Sequence, residues 1–157
     1  MDMQWLGDMA RQATKTAEDA KAQDKLQLHR AQIISAKSPD LWAALTKSVH
    51  DYVNGFNEAV GVDLSFRFSP GPHAVSAIRI NGSSPGVKVT FEPEKQQILI
   101  AYEFSGMAAK TSTFTFKSTD TDDLFLLSNT DGEQYRDMDA LAKKLLLPCF
   151  TNRVSVS

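Results

Sequence analysis

Apolar residues recur every three or four places from residue 39 to 60, and for the most part every two places from 62 to 128. The first period belongs to a helix with one buried side, the second to strands with one buried face. In the helical stretch Leu41, Trp42, Leu45, Val49, Tyr52, Val53, Phe56 and Val60 share a side, while Lys47, Asp51, Asn54 and Glu58 share the opposite one. Ser38-Pro39-Asp40 predicts where this helix starts. Ser38 caps the free amides, Pro39 has no N–H to leave unpaired in the first turn, and Asp40 complements the dipole. Gly61 is expected to end it.

The strands are expected in order. Val62, Leu64, Phe66 and Phe68 alternate with polar residues until Ser69-Pro70-Gly71-Pro72 breaks the run. Ile78 and Ile80 fall in a second strand, Val87, Val89 and Phe91 in a third, and Ile98, Ile100, Tyr102 and Phe104 in a fourth. Phe114 and Phe116 mark a fifth, Leu124 and Leu126 a sixth, and Glu133 to Tyr135 a short seventh. Short connections favour neighbouring antiparallel pairs. Asp137 then caps a final helix carrying Met138, Leu141, Leu145 and Leu146, with Pro148 as its stop. The fold class is therefore α+β: an antiparallel meander of five to seven strands, the 39–60 helix across one face, an N-terminal helix and a short C-terminal helix.

Residues 1–36 are the least hydrophobic stretch. Leu6, Ala10, Ala13, Ala17 and Ala20 fall at helical spacing, a stripe with good helix propensity and little area to bury. This predicts an N-terminal helical arm at 1–36, one domain at 37–150 and a frayed tail at 151–157. The arm either docks a partner or lies loosely on its own domain.

A length of 157 residues, with 42% hydrophobic and 23% charged, suits one globular domain. The net charge of −2 argues against a partner held by its phosphates, so nucleic acid is not expected. The single Cys149 excludes an internal disulfide and a CxxC metal pair. The opening MDMQWLGDMARQ has neither the basic start nor the apolar core of a secretory signal, and no run reaches spanning length. A cytoplasmic protein with no membrane partner is the expectation.

Chemistry is thinly represented. His29, His50 and His73 fall on separate elements, without a second His or a Cys at ligand spacing. Asp120, Asp122 and Asp123 form an acidic group without the glycine and glutamate of a calcium loop, so it reads as a polar hairpin. Gly82 to Gly86 lacks the phosphate-loop pattern, and Cys149 follows Pro148 in an apolar run that suits a buried, inert thiol. Neither catalytic residues nor a metal or other cofactor are expected, and catalysis is the least favoured of the function classes.

Two strands break the rule that the reverse side of the sheet is polar. Most present Ser65, Arg67, Lys88, Thr90, Thr113 or Thr115 there, and Arg79 and Lys117 are expected to join them. The fourth strand instead carries Leu99 and Ala101, and the sixth Phe125 and Leu127. Strands apolar on both sides are usually covered on both sides. Leu99, Ala101, Phe125 and Leu127 are thus the expected interaction surface, covered by the first helix or a second subunit, with the final helix of the same chain as the alternative. The function expected is a non-catalytic protein-interaction or homo-oligomerisation module. The alternative is a carrier of a small apolar ligand, held between sheet and helix by Trp42, Phe56, Tyr102 and Phe104.

Overall fold

The computed structural model describes residues 1–82, 85–104 and 109–151. Helix α1 (Met3–Ala59) leads into a sheet of strands β1 (Phe66–Ser69), β2 (Ala74–Arg79), β3 (Gly86–Glu92), β4 (Gln97–Glu103), β5 (Lys110–Ser118), β6 (Leu124–Ser128) and β7 (Gln134–Tyr135), and helix α2 (Met138–Thr151) closes the chain. The sheet has seven strands in sequence order, each antiparallel to its neighbour, so the meander is as expected. Its inner face carries Phe66, Val75, Val89, Ile100, Phe116 and Leu126, all buried. Both helices lie on that face. Trp42, Leu45, Val49 and Val53 of α1 and Leu141, Leu145, Leu146 and Cys149 of α2 join the same core. The Trp42 ring stacks on Phe91 at 5.5 Å, and its indole N–H donates to the Pro72 carbonyl at 3.0 Å.

The path of α1 across the sheet is diagonal. Near its C-terminal end, Asn57 meets Phe66 of β1 through two 2.8 Å hydrogen bonds. Toward its middle, His29 and Arg30 reach Asp122 and Asp120, each at 2.9 Å, and Lys37 donates to the Asp122 carbonyl at 2.6 Å. The acidic hairpin between β5 and β6 is therefore a polar turn that meets His29, Arg30 and Lys37 of α1. Asp122 turns there with φ of 61°.

Two helices expected from sequence are one helix of 57 residues. Pro39 removes its hydrogen bond to the Ser35 carbonyl, at a cost of about 3 kcal/mol. That cost is offset because the residues on both sides are held down: Ile34, Ser38 and Trp42 are all buried. Ser38 faces the core and caps nothing. The expected boundary between 36 and 37 thus falls inside the helix, and Ile34 on its N-terminal side belongs to the core.

Strand β2 departs from the expected pattern in its parity. Arg79, expected on the reverse side, is 3% exposed and faces inward, whereas Ile78 is 39% exposed and faces outward beside Arg67. The guanidinium lies 4.6 Å over the Phe66 ring and donates to the Leu64 carbonyl at 2.9 Å and the Cys149 carbonyl at 3.1 Å. A cation on the last carbonyls of α2 also meets the negative end of its dipole. Ile80 lies past the strand and is exposed, and Val62 and Leu64 form an exposed 3-10 turn instead of opening β1. Phe104 follows the last residue of β4. Helix α2 runs through Pro148 to Thr151, because Cys149 is buried and Phe150 stacks on Phe56 at 4.2 Å. Of the tail expected at 151–157, residues 152–157 lie outside the described residues, as do Ser83 and Ser84 of the β2–β3 turn.

The two sides of α1 differ in their expected response to substitution. Trp42→Ala should cost about 3 to 5 kcal/mol through the cavity it leaves, and Leu45→Ala about 2 to 5 kcal/mol. Lys47→Ala, at an exposed site, should stay within about 0.5 kcal/mol. Urea denaturation of the three variants checks this, and equal losses would overturn the face assignment.

Candidate functional site

Three surfaces are candidates for function. The first is the free half of α1. Every residue from Met3 to Leu28 except Gly7 is exposed, including Trp5 at 59% and Leu6 at 47%. An isolated helix gains most of its stability from packing an amphipathic side, and this half packs on nothing among the described residues. Asp8, Arg11, Lys15, Glu18 and Asp19 share one side and leave Leu6, Met9, Ala13, Ala17 and Ala20 on another, a stripe that Asp24 interrupts nearer the domain.

The second is the outer face of the sheet. Both helices are on the inner face, so among the described residues no element covers the outer one. The residues expected as an interaction surface are there: Leu99 and Ala101 on β4, Phe125 and Leu127 on β6, all half-buried. They form two groups separated by β5, whose Thr113 sits beside Leu99, Thr115 beside Leu127 and Lys117 beside Phe125. The Arg136 guanidinium lies 5.7 Å over the Phe125 ring. Ile78 extends the apolar area on β2 and escaped the sequence reading, because the expected strand placed it opposite to its true side.

The third is a pair of hollows on the helix side. A cleft of about 340 Å³ lies beneath α2, with Ile100, Phe114, Leu141 and Leu145 on its walls and Ser112 and Lys144 among its polar groups. It exists because β5 and β6 place Ser112 and Ser128 on the inner face, where the strands elsewhere carry Phe or Leu. Pro148 cannot donate to the Lys144 carbonyl, and the Tyr102 hydroxyl bonds the next carbonyl, that of Leu145, at 2.6 Å. Burial pushes the Tyr102 hydroxyl well above the usual phenol range. An open groove of about 660 Å³ separates α1 from the edge of β1 and includes Trp42, His50 and Phe68. The His50 ring stacks on Phe68 at 4.6 Å.

The four aromatic residues expected around a ligand are dispersed. Trp42 borders the groove, Tyr102 borders the cleft, Phe56 packs between Phe66 and Phe150, and Phe104 borders neither. The histidines stay apart as well: His29 is at Asp122, His50 on Phe68, and His73 is edge-on to Phe91 at 5.7 Å. Among the described residues no group of three or more His, Cys, Asp or Glu is placed to hold a metal ion.

Beside the cleft, Lys144 bridges Asp131 at 3.0 Å and Glu133 at 2.7 Å. Burial opposes the Lys144 ammonium, but the hydrogen bonds it donates to Glu133, Tyr135 and Asp131 outweigh that and hold its pKa above the usual range. The Glu133 amide, then the Lys144 ammonium, hold the Asp131 carboxyl down at about 2. A carboxylate depressed on folding contributes stability above its ordinary value of about 4 and loses it as pH falls through the folded one. The Tm of Asp131→Asn should therefore lie below that of wild type at pH 6 and meet it near pH 2, as scanning calorimetry would show; a gap unchanged with pH would sink this account.

Cys149 is buried, and burial pushes its thiol up to about 12. At pH 8 its thiolate is then on the order of one part in ten thousand. Ellman's reagent should leave Cys149 unmodified in the folded protein and react at once in denaturant. Prompt reaction of the folded chain would contradict the burial.

No family model, curated protein or solved structure matches this chain, and its function is read from its own surfaces.

Proposed function

We propose that the protein is a non-catalytic protein-interaction module that acts through self-association. The observation that supports this most is the free half of α1, a helical arm with a mainly apolar stripe and no packing partner among the described residues. Exposed Trp5, Leu6 and Met9 near its tip add apolar surface that a solvated spacer would not need. The partner is protein: a net charge of −2 disfavours nucleic acid, and no helix among the described residues is long and apolar enough to cross a membrane. A cytoplasmic setting agrees with the free thiol of Cys149.

Light scattering behind size exclusion tests the reading. The wild type should elute at an integral multiple of 17.3 kDa at micromolar concentration. Removing residues 1–28 should give a monomer that keeps a cooperative thermal transition, because the deletion ends short of Arg30 and Ile34. A wild type that stays monomeric at high micromolar concentration would overturn the proposal.

A second reading, carriage of a small apolar ligand, is favoured by the cleft beneath α2. Its size lies at the low end of the range for small-molecule sites. Native mass spectrometry of freshly purified protein separates the two readings: a co-purified mass added to each chain supports carriage, and its absence with an intact oligomer supports self-association.

A further inference from the structure

Apart from Ala74 on β2, the apolar residues of the outer face fall on one oblique line. Successive pairings set Leu127 beside Thr115 and Gln97, two residues along from the row of Leu99 and Thr113. On the other side, Ala101 pairs with Lys88, and Ile78 lies near the Gly86 and Glu103 pair, four residues along from Leu99 in the opposite sense. Phe125, Leu127, Leu99, Ala101 and Ile78 thus step from β6 to β2 while descending the strands. Strand spacing and rise make this band about 33 Å long. It begins near the β5–β6 turn and ends toward β1, the same diagonal that α1 follows on the inner face.

The arm has the dimensions of that band. Its 28 or so residues extend about 42 Å. Its stripe also keeps the phase of the packed half: Gln27, Ala20, Ala13 and Leu6 lie at successive steps of seven back from Ile34. The drift of about 20° per heptad puts them in the sector that holds Ser38, Trp42 and Val49 farther along. The side of α1 that faces its own sheet therefore continues, beyond the β5–β6 turn, as the stripe of the arm. Asp24 lies in this sector too, and the outer face carries Lys88 between Ala101 and Ile78 and Lys117 beside Phe125.

We propose that the arm of a second copy lies along this band, and that the two chains exchange arms about a two-fold axis beside their β5–β6 turns. The proposal rests on the self-association reading and names its geometry. The arm leaves its own domain at the height of the helix layer. A second copy turned over beside it offers its outer face at that height, and its own arm then passes under the outer face of the first, the closed arrangement that a two-fold requires. The area discriminates between pairings. One side of the arm offers about 400 Å², so two reciprocal arm-on-sheet contacts hide about 1,600 Å² in total, the size of a standard stable interface. Two arms paired only with each other hide about 800 Å², no more than a lattice contact.

Cross-linking tests the geometry separately from the oligomeric state. Chains carrying Ala13→Cys and chains carrying Leu99→Cys are purified, mixed and treated with a short bismaleimide; the buried Cys149 does not compete. A two-chain product is expected from the mixture, at least about tenfold above the yield from either variant alone. Ala13→Glu, a change at an exposed helix position in the single chain, should weaken dimerisation about tenfold or more without moving the urea midpoint measured at a concentration low enough for both proteins to be monomeric. A dimer by light scattering whose cross-link forms from Ala13→Cys alone, or not at all, would leave self-association standing and overturn arm exchange. A monomeric wild type would overturn both.

Discussion

A seven-stranded sheet with Phe, Ile, Val and Leu on one face holds together only if that whole face is kept from water, and two helices of unequal length do so. Each large side chain buried between them contributes about 1.5 to 3 kcal/mol. The stripe from Ile34 to Val53 crosses the strands diagonally, and α2 fills the area left beside it. Where α1 enters and leaves the sheet follows from that diagonal. Asn57 meets β1 at one end, and His29, Arg30 and Lys37 meet the β5–β6 turn at the other. The polar contacts at the turn are exposed and individually weak. They mark the point at which the helix runs out of its own sheet.

The sheet was legible because alternation in β3 and β5 is strict enough to fix which residues face inward. The errors lie where one residue type carried two meanings. Pro39 after Ser38 is a good helix start, and local propensity has no access to the packing of Ile34 and Trp42 that carries the helix through it. Pro148 misleads in the same way, since Cys149 and Phe150 have core positions to reach. In β2 the apolar Ile78 and Ile80 outweigh Val75 and Ala77 in any count by hydrophobicity. The inward residue at the end of the strand is nevertheless Arg79, because its planar cation satisfies two carbonyls and covers an aromatic ring at once.

The candidate surface was legible in part for a related reason. Leu99, Ala101, Phe125 and Leu127 stand out because they interrupt a row of threonines and lysines, and outward position follows from parity alone. Their arrangement into a band does not, since it needs the register between strands and the true side of Ile78. The cleft beneath α2 had a faint signal in Ser112 and Ser128, two hydroxyls at inner-face positions, but depth is set by α2 and not by the strands. The free half of α1 showed itself as a thin alanine stripe, and only the length of the sheet reveals that the helix overruns it.

The amide of Asn57 has a consequence for how such a chain can assemble. Its oxygen accepts from the Phe66 amide and its nitrogen donates to the Phe66 carbonyl, as the backbone of a neighbouring strand would. One side chain thus takes the place of a missing strand at the first residue of β1, and Pro70 follows the strand at its other end. The opposite edge, β7, is two residues long. Sheets grow into fibres by adding strands at their edges, and both edges here are stopped. The order of the sheet therefore ends within the molecule and is not passed on from one chain to the next.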